Sequence, residues 1–452
     1  MRSAMVSELV ITARVLSPVT PQAAVMEDVA FLIDERGNIQ ERAVKGGALY
    51  AALSAREDVR RMPSDSLLIP GVTDLHIHAP QWPQAGMALD EPLERWLGVY
   101  TFPLESRYDD VFFAEEVYSD LVRTLLENGT TTALYFATIH EESSLALARI
   151  CLEQGQRGFV GLVAMDNAAL CPPTYRHANA QQALDATRRF IAAVRALPGN
   201  EGGLAQPVIT PRFIPACSDA LLEGLGELAA ETGVRVQTHA SESDWEHRHV
   251  LERTGKTDTE ALDGFGLLRD ATVLAHAGFL NATDRARVRA RNAALAHCPI
   301  SNAFFAGAAL PVRTVLDEHT RCGLGTDISG GYSPSIFENA RQAVVTSRLL
   351  ESGVDPDRSP GERGRPDSRI TFQEAFWLAT RGGAEALGTS AGQLLPGQAF
   401  DALEIRNGRR GLRLSPTDDA ERCVQKIVCH VTAENIVRVW VNGRMVVDKA
   451  YN

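Results

Sequence analysis

The chain of 452 residues is too long for one compact core and fits a large domain with a smaller one. It is 45% hydrophobic and 23% charged, as globular proteins are, and its formal net charge is -12 at pH 7. This acidic balance argues against nucleic acid or an anionic membrane as a partner, and it permits a small neutral or positively charged substrate.

The N-terminal segment and the cysteines bear on the cellular compartment. Glu8 and Arg14 interrupt the apolar part of the first twenty residues, and no small-residue cleavage site follows, so we expect no signal peptide. No apolar run reaches the length of a membrane span. The seven cysteines are scattered without a C-x-x-C pair, which is typical of free thiols. We therefore expect a cytoplasmic protein.

The first part of the chain predicts short strands. The segments "ELVITARVL" and "VAFLIDERGNIQ" are rich in apolar and β-branched residues, and the second contains a turn signal around Gly37. They are the N-terminal part, residues 1–69, of a small predicted β domain.

The middle of the chain alternates between apolar strands and amphipathic helices. The helical stretch before Gly129 and the one before Gly233 each end at a glycine, as helices commonly do. Alternation of eight strands with helices over about 300 residues is typical of a (β/α)₈ TIM barrel, which we assign to residues 70–390. The strand candidates are "LLIPGVTDLHIH", "TTTALYFAT", "GFVGLVAMD", "QPVITPRF", "VRVQTHA", "TVLAHA", "AALAHCP" and "CGLGTD".

The end of the chain predicts strands again. "AFDALEIRNG" resembles a strand, and "VRVWVNGRMVV" contains two apolar runs joined by Asn442 and Gly443, a strong hairpin signal. We therefore expect residues 391–452 to complete, with residues 1–69, one small β-sandwich domain.

Side chains that can bind metals follow four of the eight strand candidates. The carboxyl ends of barrel strands converge on one face, where active sites lie. One acidic residue, Glu242, follows the fifth strand three positions after a histidine. The metal-capable residues at these strand ends are His76, His78, His239, His276 and Asp327.

A simpler interpretation of His76 and His78 exists. Residues i and i+2 of a strand share a face, so an H-x-H pair can be an ordinary polar patch. The placement of histidine or aspartate at four strand ends favours a metal site instead.

Several segments together carry a family resemblance. "PGVTDLHIHAPQ", "NGTTTALYFAT", "THASES", "LAHAGFL", "AHCPISN" and "GLGTDISGG" resemble the amidohydrolase superfamily. "LERWLGVYTFPLESRYDD", "TPRFIPACS" and "FDAL" narrow the resemblance to its guanine deaminase family. The resemblance covers essentially the whole chain, with no departure at positions expected to carry chemistry.

The resemblance implies a metal centre. Some members hold two metals bridged by a carboxylated lysine, but no lysine lies between His78 and His239, so we expect a single metal. Its ligands would be His76, His78, His239 and Asp327. Such nitrogen and oxygen ligands suit catalytic Zn²⁺, and Fe²⁺ is the alternative.

The implied reaction is the hydrolysis of guanine to xanthine and ammonia, a step of purine catabolism, by a metal-activated hydroxide. Asp327 would take the proton of the attacking water. Glu242 would protonate N3 and carry a proton to the leaving amine, and His276 would orient and polarise the nucleophile. The simpler alternatives are a surface carboxylate at a helix start for Glu242 and an ordinary core histidine for His276.

The resemblance also implies substrate contacts. Arg212 would donate to O6 of the purine, and Gln81, which is both donor and acceptor, would contact the ring nitrogens or the amine. Trp96, Phe102 and Phe213 could pack on the flat ring, although each is equally typical of ordinary core. A loop-anchoring role for Arg212 and a surface position for Gln81 are the alternatives.

Three rival functions stay open. The same mechanism could act on 8-oxoguanine, another aminated purine, a pterin or a triazine. A ring-opening cyclic amidohydrolase is less favoured because such enzymes usually use the lysine bridge. A barrel without a metal could serve as a binding module. Family resemblance also suggests a homodimer.

Overall fold

The computed structural model describes residues 8–408 and 411–450. The outermost residues of the two predicted terminal segments, 1–7 and 451–452, therefore lie outside the described residues, as do 409–410. The described chain forms two eight-stranded sheets. Strands from both ends of the chain form the terminal sheet: β1 Leu9–Thr20, β2 Ala23–Ile33, β3 Ile39–Val44, β4 Arg60–Arg61, β5 Ser66–Pro70, β14 Ala402–Arg406, β15 Ile436–Val441 and β16 Arg444–Asp448. The intervening strands form the barrel: β6 Val72–His78, β7 Thr130–Phe136, β8 Arg157–Ala164, β9 Ala205–Pro211, β10 Arg235–Ala240, β11 Thr272–His276, β12 Ala294–His297 and β13 Arg321–Leu324.

Helices surround the barrel and cover part of the terminal sheet. They are α1 Ala48–Ser54, α2 Leu93–Trp96, α3 Phe102–Glu105, α4 Val111–Glu127, α5 Glu141–Gln154, α6 Ala180–Arg195, α7 Asp219–Thr232, α8 Asp244–Thr254, α9 Asp258–Gly264, α10 Ala282–Ala290, α11 Pro299–Ser301, α12 Val312–Asp317, α13 Ile336–Ser352, α14 Phe372–Trp377, α15 Gly383–Leu387 and α16 Ala420–His430. The described residues include no helix with the length and apolar character needed to cross a membrane.

The barrel strands are parallel and pair in chain order from β6 to β13. Backbone hydrogen bonds join the two outer strands at their carboxyl ends: Asp327 donates to the carbonyl of His76 and His78 donates to that of Ile328, both at 2.8 Å. The predicted (β/α)₈ barrel is therefore confirmed. The backbone hydrogen bonds between its outer strands involve His76, His78 and Asp327, which are predicted to carry the chemistry.

The terminal sheet is mixed, in the order β16-β15-β14-β5-β1-β2-β3, with β4 beside β1. β5 pairs with β1 in parallel and with β14 in antiparallel orientation, so a strand from before the barrel joins strands from after it. Its strands share an apolar core, in which Phe400 contacts Phe31 of β2 and Trp440 of β15. The predicted β domain built from both termini is confirmed.

The turn between β15 and β16 has the expected chemistry. Asn442 and Gly443 both have positive φ, 47° and 70°, which is the backbone of a type I′ hairpin turn. The helix ends also agree with the sequence, since α7 ends at Gly233 with φ 66°.

One predicted strand is in fact two. The segment "LLIPGVTDLHIH" divides at Gly71 into β5 of the terminal sheet and β6 of the barrel. A Cβ on Gly71 would lie 2.3 Å from Oγ1 of Thr131, so only glycine fits where the chain changes sheets. The chain thus enters the barrel between Pro70 and Val72, while the domain limits at 69/70 and 390/391 stay predictions.

A buried ion pair ties the barrel to the terminal sheet. Arg157, at the start of β8, bonds to Asp401, which directly precedes β14. Arg157 also donates to Oγ1 of Thr132 at 3.1 Å and to the side chain of Asn442 in the β15–β16 turn. The two sheets are therefore held together by charge and hydrogen bonds as well as by apolar packing.

Candidate functional site

The strand ends of the barrel bring the predicted metal-capable residues together. His76 and His78 end β6, His239 lies near the end of β10, His276 ends β11, and Asp327 follows β13. All five are buried. Their potential ligand atoms fall into overlapping groups whose members lie within 4.8 Å of one another, and Glu242 belongs to one of these groups with His239 and His276.

The imidazoles face one another closely. The Nε2 atoms of His78 and His239 are 2.9 Å apart, and Nε2 of His76 lies 3.1 Å from Oδ1 of Asp327. On the opposite side, Nε2 of His276 lies 3.6 Å from Oε1 of Glu242 and 3.8 Å from Oδ2 of Asp327. The side chains of four histidines and two carboxylates thus converge on one small volume.

Hydrogen bonds at the far nitrogens orient two of these rings. Nδ1 of His239 lies 2.6 Å from the carbonyl oxygen of Arg212, and Nδ1 of His276 lies 2.9 Å from Oδ1 of Asn302. Because both oxygens can only accept, each Nδ1 carries the hydrogen and each Nε2 presents its lone pair to the cluster. Metal-binding histidines are commonly held in this way.

The backbone at the strand ends is unusual. Ser241, His276, Ala277 and Asp327 have φ between 49° and 70°, a left-handed conformation that non-glycine residues seldom adopt. Such conformations cost about 1–3 kcal/mol each and cluster at functional sites.

Burial sets the charge state of the histidines. Desolvation, followed by the positive charges of neighbouring histidines and Arg212, holds the pKa values of His76, His78 and His239 well below their usual range. Desolvation lowers the pKa of His276 as well. The rings are therefore neutral at physiological pH, as metal binding requires.

Burial acts in the opposite direction on the carboxyls. Desolvation, and then the charge of Asp327, raises the pKa of Glu242 to about 8, and desolvation raises the pKa of Asp327. A carboxyl whose pKa is near neutrality can both hold and release a proton. Glu242 is only 7% exposed, which excludes the alternative of a surface carboxylate.

The cluster fits a metal ion. Nε2 of His76 and Nε2 of His276 are buried nitrogen atoms of the cluster without a hydrogen-bond partner, and such orphaned atoms are destabilising unless something binds them. Neutral imidazole and carboxylate are donors that Zn²⁺ and Fe²⁺ both accept.

A cavity opens beside this cluster. It combines polar groups with aromatic and aliphatic walls. Its lining residues are His78, Gln81, Leu93, Trp96, Leu97, Arg212, Phe213, His239, Glu242, Phe305, Asp327 and Gly330.

Arg212 and Gln81 are buried and share one partner. The carboxylate of Glu105 accepts from Nη1 and Nη2 of Arg212 at 2.6 and 3.2 Å, and from Nε2 of Gln81 at 2.8 Å. Burial opposes the charge of Arg212, but the charge and hydrogen bonds of Glu105 outweigh it and raise the arginine pKa. Gln81 is 1% exposed, so it is no surface residue.

The aromatic residues take different places. Trp96 and Phe213 line the cavity, and Trp96 contacts Phe305 with ring centroids 5.1 Å apart. Phe102 does not line the cavity. Its ring lies against the guanidinium of Arg212, with the ring centroid 5.0 Å from Cζ. Phe102 therefore makes a cation–π contact with Arg212, and its packing on a flat ring stays a prediction.

Sequence reasoning missed three residues of this site. Glu105 lies in a run of short helices, and Asn302 and Phe305 lie in or beside a π-helical segment, Asn302–Ala306. Glu105 falls within "LERWLGVYTFPLESRYDD" and Asn302 within "AHCPISN", two of the segments that carried the resemblance, whereas Phe305 had no such signal.

Comparison with known proteins agrees with the geometry. The sequence model of the Amidohydrolase family matches residues 67–446. A guanine deaminase from Homo sapiens is 38% identical over 404 residues, which cover 86% of this chain and 85% of that protein. A probable guanine deaminase from Schizosaccharomyces pombe is also 38% identical, over 86% of this chain and 73% of its own length. In three dimensions, the guanine deaminase from C. acetobutylicum, with guanine bound in its active site, superposes with a TM-score of 0.86 at 28% identity, covering 97% of this chain and 99% of that one.

Proposed function

The chain belongs to the amidohydrolase family, and from that premise we propose that it hydrolyses guanine to xanthine and ammonia. One observation carries the proposal: Arg212 and Gln81 line the same buried cavity as the cluster of histidines, Glu242 and Asp327. The likeness to guanine deaminases over most of the chain supports the choice of guanine.

We assign the metal to His76, His78, His239 and Asp327, with Zn²⁺ preferred and Fe²⁺ as the alternative, one ion per chain. When bound, the ion would lower the pKa of a water to about 7 and so supply hydroxide at neutral pH. The orphaned imidazole nitrogens and the neutral state of the rings support this assignment.

The carboxyls and His276 move the protons. Asp327 accepts the proton of the attacking water as the bond between oxygen and C2 forms. Glu242, whose pKa is raised to about 8, donates its proton to N3, takes up the proton that Asp327 removed from the water, and delivers it to the exocyclic nitrogen. The bond between C2 and that nitrogen breaks, ammonia leaves, and the C2 hydroxyl returns its proton to Glu242 as the carbonyl of xanthine forms. His276, held by Asn302, accepts a hydrogen bond at Nε2 and orients the nucleophile.

Side chains on the other side of the cavity determine which heterocycle binds. With C2 and N3 toward Glu242, O6 points to the guanidinium of Arg212, which donates to it. Gln81 offers its remaining N–H to the ring, and Trp96 and Phe213 supply apolar walls.

The first experiment measures ammonia release from a panel of aminated heterocycles: guanine, 8-oxoguanine, adenine, a pterin and a triazine. Protein stripped by a chelator is compared with the same protein reloaded with Zn²⁺ or Fe²⁺. We expect metal-dependent release from guanine with xanthine as the product. Faster release from another ring would replace guanine by that substrate, and no release from any ring by the loaded protein would contradict the deaminase assignment.

Three further properties are proposals. The cysteines, all free thiols in the structure, support a reducing compartment such as the cytoplasm. The family resemblance supports a homodimer, which light scattering on the purified protein tests. The acidic balance supports a small purine as partner rather than nucleic acid or a membrane, and the reaction would serve purine catabolism.

A further inference from the structure

Among the described residues, Glu105 is the fully buried carboxylate that contacts both Arg212 and Gln81 while lying outside the cavity lining. Glu105 is the last residue of α3. In the part of the chain that the structure describes, no hydrogen bond joins this short helix to the proposed metal ligands or to Glu242. A buried carboxylate in this place is expensive unless its oxygens are fully used. Its two oxygens are used by Arg212 and Gln81.

Glu105 fixes the guanidinium of Arg212. Two parallel N–H···O bonds hold one edge of the planar group, and the ring of Phe102 supports its face. The orientation in which the remaining N–H groups meet the cavity is therefore set before any ligand arrives.

Glu105 also fixes which end of the Gln81 amide faces which neighbour. Nε2 donates to Glu105, while Oε1 accepts from the backbone N–H of Ser329 at 3.1 Å. Since a carboxylate can only accept and an N–H can only donate, the amide cannot rotate by half a turn without losing both bonds. Gln81 therefore keeps one N–H free for the cavity.

We propose that Glu105 is a positioning residue that sets the preference of the pocket for 6-oxopurines by fixing the donors of Arg212 and Gln81. This inference rests on the proposed function, because it needs O6 of the ring to face Arg212. A site with prearranged donors binds a ligand that carries the matching oxygen far better than a ligand that lacks this oxygen.

The test measures binding, so it does not depend on turnover. Isothermal titration gives the Kd of Zn²⁺-loaded protein for hypoxanthine, which carries O6, and for purine, which lacks it. We expect wild type to prefer hypoxanthine. In E105Q an NH₂ group replaces one acceptor oxygen and faces an N–H donor, so one hydrogen bond to Arg212 or Gln81 is lost. We expect the preference for hypoxanthine over purine to fall by about tenfold or more, with little change in the Kd for purine.

E404Q is the matched control. Glu404 is an equally buried carboxylate that pairs with Arg438 and Ser66 in the terminal sheet. We expect E404Q to lower stability and leave the ratio of the two Kd values unchanged. If E105Q does not fold, E105D keeps the charge opposite Arg212 but is one methylene shorter, and a smaller fall of the ratio is expected.

Two results would overturn the inference: an unchanged ratio in E105Q or E105D, or an equal loss of both ligands, as a purely structural role predicts. The proposed function is judged separately, by guanine turnover of wild type. If wild type turns over guanine but E105Q leaves the ratio of Kd values unchanged, only the role of Glu105 is disproved. If wild type shows no turnover but E105Q reduces the ratio, the reaction is disproved and the role of Glu105 stands.

Discussion

His276 shows how one hydrogen bond decides what a side chain can do. Its Nδ1 donates to Oδ1 of Asn302 at 2.9 Å, so Nε2 carries the lone pair that faces Glu242 and Asp327. A ring free to take the other tautomer would present a hydrogen there instead, and could no longer accept one from the nucleophile.

Asn302→Ala is therefore expected to lower kcat for guanine by about 10- to 100-fold, as loss of partners behind functional histidines commonly does, with little change in KM. Steady-state kinetics with metal-loaded protein measure both constants. Asn200→Ala is the control, because this buried asparagine binds the backbone around Ala205 far from the cavity. A KM effect without a kcat effect in Asn302→Ala would contradict the role.

The residues of the site differ in how far the sequence predicts them. The strand-end residues, such as His76 and Asp327, follow recognisable apolar runs, so barrel geometry alone predicts that they meet. Glu105 follows no strand, and its partner Arg212 lies 107 positions further along the chain. Asn302 likewise acquires its role only through a tertiary hydrogen bond. Pairings of this kind are fixed by packing and leave no periodic signal.

At the scale of elements, α8 begins at Asp244, two residues after the proposed proton carrier Glu242. Ser243 caps this helix by accepting from the N–H of Glu246 at 3.2 Å, and the carboxylate of Glu246 accepts from the N–H of Glu242 at 2.6 Å. The first turn of the helix thus holds the backbone from which Glu242 reaches the cluster.

Ser243→Ala is expected to reduce the free energy of unfolding by about 1 kcal/mol through loss of the cap. It should also lower kcat several-fold, because the backbone of Glu242 loses support. Urea unfolding and guanine turnover measure the two effects. Asp419→Ala removes the equivalent cap of α16, far from the cavity. It should match the stability loss and keep wild-type kcat; a Ser243→Ala enzyme with wild-type kcat would disprove the link.

For the whole molecule, the buried pair of Arg157 and Asp401 is a polar link between the two sheets. Removal of one partner leaves a buried charge uncompensated, which typically costs about 3–5 kcal/mol. Arg157→Met should therefore reduce the free energy of unfolding by that amount, measured in guanidinium chloride, while guanine turnover of the folded fraction stays near wild type.

The control for this prediction is an exposed ion pair. Arg188 and Glu231 lie 3.4 Å apart with side chains 46% and 65% exposed, so Arg188→Ala should cost at most about 1 kcal/mol. Equal stability of Arg157→Met and wild type would show that the sheets are held by apolar packing alone.

The architecture was predictable because alternating strands and helices and the Asn442–Gly443 hairpin are local signals. The division of one apolar run at Gly71 was not, because its cause is the close approach of Thr131, more than fifty residues away. Nor does any local pattern indicate that β5 lies between β1 and β14.

That position of β5 has a consequence during synthesis. β5 ends at Pro70 and its partner β14 begins at Ala402, so the ribosome must add more than 300 residues before the pairing can form. At bacterial or eukaryotic rates of about 5–20 residues per second this takes roughly 20–60 s. Until β14 is made, the edge of β5 that pairs with it in the finished sheet has no partner, and an unpaired strand edge can pair with other nascent chains. The terminal sheet can therefore be completed only after the whole barrel sequence has been synthesised.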